Sequence, residues 1–210
     1  MKIISHRGYW RESSEKNKMI AFERSFSLGF GTETDLRDIC GEVVISHDMP
    51  KGDEIRFSDF LKCYSRYSNL DCAYLALNIK SDGMAEKVSE ILRANGDSQI
   101  KYFMFDMAIP DMLQYIKIGL PVYMRMSEVE RDSSLLKRCN GIWLDSFDAE
   151  WYTDEELKQF LKNNHVCIVS SELHGRECRE LWERLRGFKK QENLMLCTDF
   201  PEEFKKFIEA

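Results

Sequence analysis

The sequence predicts a single α/β domain spanning residues 1–210, a compact (β/α)8 TIM barrel with a β-hairpin extension after its second strand. Three observations predict it. Short apolar runs of strand length alternate with amphipathic helical stretches from one end of the chain to the other. The runs are apolar at nearly every position, as strands covered on both faces of a parallel sheet must be; residues 72–80, Cys-Ala-Tyr-Leu-Ala-Leu-Asn-Ile-Lys, are the clearest case. Taking the hairpin as part of the second strand, eight strands result, each followed by a helix. A chain of 210 residues suits a barrel with short loops. The competing architecture, an open doubly wound sheet, usually carries a Gly-rich loop, and neither GxGxxG nor GxxxxGK[ST] occurs.

The elements follow in order. Residues 2–6 read as a buried strand stopped by Gly8. Residues 17–29 place Met19, Ile20, Phe22, Phe26 and Leu28 on one helical face and close at Gly29. The second strand enters at about Gly31, and residues 57–67 form the next helix. Residues 72–80 are the third strand and 84–95 a helix. Strand 101–106 leads to helix 110–119, with Pro110 in its first turn. Strand 122–126 leads to a short helix at 134–139, and strand 141–145 to helix 154–163, N-capped by Thr153. Strand 166–170, helix 177–186, strand 194–198 and helix 202–208 complete the alternation.

Glu33 and Asp35 stand two residues apart, which on a strand puts both carboxylates on one side. Gly41 offers a turn, and Val43-Val44-Ile45 reads as the returning strand. With Gly41 near the tip, His47 lies beside Asp35. Two hard oxygen donors and an imidazole in one small volume are a start to a metal site with an acid–base group beside it. The same pattern also describes a surface hairpin with exposed acids.

Barrel enzymes hold their chemistry at the C-terminal ends of the strands. Those positions give His6 and Arg7, Glu33 and Asp35, Asn78 and Lys80, Asp106, Arg125, Trp143 and Asp145, Glu172 and His174, and Asp199. Three of the four histidines therefore fall at one face or on its hairpin, if His47 is counted with the second strand. His165 precedes a strand at the opposite end and reads as structural. Glu172 and His174 suit either a substrate contact or a loop role. Trp143 suits either stacking on an alcohol group or core packing.

The bulk numbers set limits. A net charge of −6 argues against non-specific binding to nucleic acid. No long apolar segment marks a leader or membrane span, so a cytoplasmic protein without integral membrane association is expected. Seven scattered cysteines without a CxxC argue against a zinc-cluster or disulfide-framework reading and suit reduced thiols.

The ordered set His6-Arg7-Gly8, Glu33-Thr34-Asp35, His47-Asp48, Asn78-Ile79-Lys80 and Thr198-Asp199-Phe200-Pro201 resembles the glycerophosphodiester phosphodiesterase family across nearly the whole chain. The resemblance implies a (β/α)8 barrel and metal-dependent cleavage of a small glycerophosphodiester into an alcohol and glycerol phosphate. By position, His6 and His47 resemble the family's paired acid–base histidines and Arg7 its phosphate-binding arginine. Glu33 and Asp35 resemble two metal-binding carboxylates, and Lys80 the phosphate-side lysine. Which histidine is acid and which base stays open, as does whether water or a substrate hydroxyl attacks. The implied cofactor is one divalent ion, Mg²⁺ or Ca²⁺. The chain departs from the family at Asn78, where a third carboxylate is usual. An amide oxygen still binds a hard cation, at the loss of one negative charge. A second departure is Glu15-Lys16-Asn17, where the family often has Pro-Glu-Asn-Thr. Two alternatives keep the same barrel: a catalytically lapsed phosphodiester-binding or regulatory domain, and metal-free, phospholipase-C-like cleavage by the histidines and Arg7.

Overall fold

A computed structural model describes residues 1–67, 73–131 and 134–210. Its eight parallel strands form a barrel. In chain order the strands are β1 (Lys2–Ser5), β2 (Gly31–Ile39), β3 (Glu42–Ile45), β4 (Leu75–Ile79), β5 (Tyr102–Phe105), β6 (Tyr123–Met126), β7 (Gly141–Leu144), β8 (His165–Val169) and β9 (Leu194–Thr198). The sheet runs β5-β4-β2-β1-β9-β8-β7-β6, with β3 attached to β2 alone. Closure between β5 and β6 rests on the Met104–Val122 bridge and the Met104 N–H donating to Pro121 O at 2.8 Å.

The helices are α1 (Met19–Ser27), α2 (Phe57–Tyr64), α3 (Ala85–Ala94), α4 (Ile109–Lys117), α5 (Asp154–Asn163), α6 (Arg179–Arg186) and α7 (Pro201–Glu209). The predicted alternation holds with one correction. The helix expected at 134–139 is a 3-10 turn, Leu136–Arg138. Six residues are too few to offset the cost of helix nucleation. The barrel thus has seven α-helices among its described residues. The strand expected from residue 72 is seen from Leu75; Cys72 lies outside the described residues. Helix α5 has the predicted bounds and its Thr153 cap, completed by Glu156 as a capping box.

Strand parity divides the core. Ile4, Ala76, Phe103, Phe105, Tyr123, Trp143, Cys167, Val169, Met195 and Cys197 pack together inside the barrel. Their neighbours, such as Leu75, Leu77, Ile142, Leu144 and Leu196, face the helices. Phe103 stacks on Tyr123 at 3.7 Å and Phe105 on Trp143 at 3.8 Å between ring centroids. Each such pair contributes ~0.5–1.5 kcal/mol beyond its buried area. Gly31 is required where β2 passes β4, because a Cβ there would lie 2.5 Å from Tyr74 O. No helix among the described residues is long and apolar enough to cross a membrane.

β2 and β3 form the expected hairpin, but its register corrects the position of His47. Cys40 and Gly41 have φ of 49° and 81°, the signature of a two-residue type I′ turn, whose twist matches that of the strands it joins. The ladder pairs Leu36 with Ile45 and Ile39 with Glu42. The Ser46 N–H donates to Asp35 O at 3.0 Å. Ser46 therefore stands beside Asp35, and His47 falls one residue further along. A turn centred between Cys40 and Gly41, and not on Gly41 itself, makes this one-residue difference.

Candidate active site

The inward-facing positions of each strand continue past its end, and there the residues change from apolar to charged. A cavity of about 170 Å³ at this end is lined by His6, Arg7, Glu33, Asn78, Phe105, Asp106, Trp143, Asp145, Val169, Leu173 and His174. Phe105 and Trp143 bring the buried aromatic stack to its wall. A larger cavity, about 450 Å³, lies at the opposite end among Ile3, Phe30, Phe204 and Ile208. Its lining offers lysines and one glutamate but no histidine.

His6 follows β1, and its N–H continues the β1–β9 pairing by donating to Thr198 O at 3.0 Å. Its Nδ1 lies 2.7 Å from Asp199 Oδ1. A carboxylate there selects the tautomer with the proton on Nδ1, leaving the Nε2 lone pair free. Nε2 is 4.0 Å from Glu33 Oε2. Burial lowers the His6 pKa, against the raising effect of Asp199. Asp199 is held in turn: its N–H donates to Glu172 Oε1 at 3.0 Å, and the Thr198 hydroxyl bonds the same oxygen. Glu172 thus sits one step behind the cavity and fixes the end of β9.

Glu33 and Asp35 are both buried on β2, and Asn78 lies opposite Asp35 in the β2–β4 register. Burial, then repulsion from Asp35, pushes the Glu33 carboxyl up to about 8. Asp35 Oδ2 accepts from Asn17 Nδ2 at 2.8 Å and lies 3.3 Å from Arg7 Nε. Lys80 Nζ is 3.5 Å from Asp35 Oδ1 and 3.7 Å from Asp106 Oδ2. Arg125 Nη1 donates to Asp106 Oδ1 at 2.5 Å. Buried Asp35 Oδ1 and Asn78 Oδ1 have no hydrogen-bond partner. Among the described residues, no group of three His, Cys, Asp or Glu side chains is placed to hold a metal. The oxygen set here is two carboxylates and an amide. The orphaned Asp35 Oδ1 and Asn78 Oδ1, with the buried Glu33 carboxyl beside them, fit a hard divalent cation.

Four residues outside glycine have positive φ among those described, and three belong to this site: Arg7 at 56°, Asn17 at 58° and Asp106 at 72°. Such conformations cost about 1–3 kcal/mol each, concentrated here at the mouth. Asn17, the last residue of the Glu15-Lys16-Asn17 segment, bridges Thr34 Oγ1 and Asp35 Oδ2.

The structure does not bring His47 to the cavity wall. Its ring bonds Asp48 Oδ1 through Nδ1 at 2.9 Å, and its side chain is 44% exposed on the rim. That bond, with smaller help from Arg7 and Arg37, lowers the Asp48 pKa. His174 does reach the cavity, with Nε2 2.7 Å from Asp145 Oδ1. Trp143 is buried and lines the cavity through its stack with Phe105. Asp106, Asp145 and Asp199 each occupy the first position beyond a strand, after β5, β7 and β9. That shared offset is the sequence signal for the acids that hold the basic groups.

The solved structures decide what this barrel resembles. A glycerophosphodiester phosphodiesterase from Agrobacterium tumefaciens superposes with a TM-score of 0.74 at 16% identity, covering 100% of both chains. One from Parabacteroides distasonis gives 0.70 at 16% identity, covering 99% of this chain and 96% of that one. The chain has the fold of the glycerophosphodiester phosphodiesterases. A Ca²⁺-dependent phosphatidylinositol-specific phospholipase C from Streptomyces antibioticus is also similar, with a TM-score of 0.57 at 12% identity over 97% of this chain and 95% of that one. No family profile and no curated protein matches the sequence. The barrel shared with the phosphodiesterases extends over the whole chain, so the strand-end positions of that fold are all present here.

Proposed function

We propose that this chain is a phosphodiesterase of the glycerophosphodiester phosphodiesterase family, hydrolysing a small glycerophosphodiester or a related headgroup diester. The observation that carries the reading is the placement of His6, oriented by Asp199, in one cavity with Arg7, Glu33 and Asn78 at the C-terminal end of this barrel. A phosphodiester is anionic, so attack at phosphorus needs its charge neutralised and a base for the nucleophile's proton. Arg7 and Lys80 supply fixed positive charge beside the oxygen set. The Nε2 lone pair of His6 receives the proton of the attacking hydroxyl. Asp199 keeps that ring from turning and stabilises the imidazolium as it forms.

Glu33, Asp35 and Asn78 would hold the divalent ion, Mg²⁺ or Ca²⁺, and the Ca²⁺-dependent phospholipase C of similar fold supports such a need. When bound, the ion supplies charge neutralisation for the phosphoryl oxygens. A second reading, metal-free cleavage, draws support from Arg7 and Lys80, which already flank Asp35 at 3.3 and 3.5 Å. A cavity of about 170 Å³ accommodates a phosphoryl group and a few further atoms, so the rest of the substrate lies outside. The net charge of −6 disfavours a nucleic-acid substrate, which leaves a small diester as the favoured reading. The six described cysteines are all free thiols, which supports a cytoplasmic setting.

The test is product release from glycerophosphocholine and from bis(4-nitrophenyl) phosphate, with chelator, Mg²⁺ or Ca²⁺. Wild-type turnover restored by a metal and lowered about 10²–10⁴-fold in His6→Ala is expected. Turnover indifferent to chelator selects the metal-free reading. Binding of the diester with no turnover under any condition selects a lapsed, binding domain.

A further inference from the structure

We propose that Glu172 is a positioning residue for the reaction: by holding Asp199, it fixes the His6 imidazole in the tautomer and orientation that leave Nε2 free. This rests on the phosphodiesterase reading and deepens it. Strands β1, β9 and β8 are neighbours in that order, and His6, Asp199 and Glu172 follow them respectively.

The backbone of His6 is fixed on both sides. Its N–H donates to Thr198 O at 3.0 Å, and its carbonyl accepts from Trp10 Nε1 at 3.1 Å. The side-chain torsions remain, and Asp199 Oδ1, 2.7 Å from Nδ1, removes that freedom. Asp199 lies one residue past β9, where the ladder with β1 stops at Ser5–Thr198. Its N–H therefore needs another acceptor and takes Glu172 Oε1 at 3.0 Å. The Thr198 hydroxyl bonds that same oxygen and accepts from the Phe200 N–H at 3.0 Å. One carboxylate oxygen thus serves, directly or through Thr198, the first two N–H groups beyond the strand. Those two groups flank the Asp199 side chain.

Glu172 is mounted firmly. It lies in the 3-10 turn Ser171–His174. The Ser170 N–H donates to Cys197 O at 2.9 Å and ties the start of the turn to β9. The Ser171 hydroxyl lies 2.7 Å from Glu150 Oε1, and the Gly175 N–H donates to Glu172 O at 2.9 Å. Glu172 stands outside the lining of the cavity, so its reach to the reaction is through Asp199. A loosened Asp199 costs catalysis in two ways. The imidazole then samples both tautomers, and the one protonated on Nε2 cannot take the nucleophile's proton. The ring also swings away from the attacking oxygen, and a misplacement of ~1 Å costs about 10²-fold.

Glu172→Met fills the same space without an acceptor, whereas Glu172→Gln keeps one. On glycerophosphocholine with Mg²⁺ or Ca²⁺, Glu172→Met should lower kcat and kcat/KM together by about 10–100-fold, and Glu172→Gln by less than about fivefold. In an Asp199→Ala background, Glu172→Met should cost less than about twofold more, because a residue that acts through Asp199 then has nothing to act on. Nitrogen NMR of the neutral His6 ring should show the proton on Nδ1 in the wild type and in Glu172→Gln, and a mixture of tautomers in Glu172→Met. A loop contact without a positioning role would move neither readout. An equal loss with and without Asp199, an unchanged His6 tautomer in Glu172→Met, or full turnover in that variant would overturn the assignment. A wild type that cleaves neither glycerophosphocholine nor bis(4-nitrophenyl) phosphate would instead remove the phosphodiesterase reading; the His6 tautomer, read without turnover, still decides whether Glu172 sets the ring.

Discussion

Glu33 shows how one side chain reports on its site. It is 2% exposed and shares an inner strand face with Asp35. Burial and the neighbouring carboxylate raise its pKa to about 8, with Arg7 and Lys80 pulling the other way. The unfolded carboxyl titrates near ~4.3. Between those values the folded protein binds more protons than the unfolded chain, so stability falls as pH rises. Metal-free protein should therefore melt at lower temperature at pH 8.5 than at pH 6. Glu33→Gln should flatten that slope, and Mg²⁺ or Ca²⁺ should restore stability at the higher pH. Thermal melts in chelator and in each metal read all three; a slope unchanged by Glu33→Gln would place the titrating group elsewhere.

At the scale of the element, β2 does most to set the site. It holds Gly31 against β4, carries Glu33 and Asp35 inward, and runs on into the hairpin with β3. Beneath it, the Ser5 hydroxyl lies 2.7 Å from Ser25 Oγ and 3.0 Å from Thr32 Oγ1, tying α1 to β1 and β2. A methyl at Gly31 would meet the backbone oxygen of Tyr74 at 2.5 Å, and a backbone atom in a sheet has little room to yield. Gly31→Ala should destabilise by about 1–3 kcal/mol, read as a lower denaturation midpoint. It should also lower kcat, because the shifted strand carries both carboxylates. A variant as stable and active as the wild type would show that β2 and β4 can separate without consequence.

Across the whole molecule, the barrel is thinnest between β5 and β6. β2 pairs with β4 over five positions, from Thr32–Leu75 to Leu36–Ile79, whereas β5 and β6 meet at the single Met104–Val122 bridge. Opening should therefore begin there. Backbone amides of β5 and β6 facing the seam should exchange hydrogen faster than those between β2 and β4. Uniform protection around the ring would mean that side-chain stacking, such as Phe103 on Tyr123, closes the barrel as firmly as backbone pairing does. The seam lies beside Asp106 and Arg125, so its opening would also loosen that ion pair at the mouth.

The sequence by itself determined the barrel, because apolar strand runs and amphipathic helices in strict alternation leave few ways to bury every face. It also determined that Glu33 and Asp35 share a side, since strand parity is a local rule. It could not place His47: a one-residue difference in turn centre moves a side chain past its neighbour, and only the backbone conformation of Cys40 and Gly41 decides that. Nor could it pair His6 with Asp199 or His174 with Asp145, which are 193 and 29 residues apart along the chain. Those partnerships depend on which strands become neighbours when the ring closes, and that is a property of the tertiary structure alone.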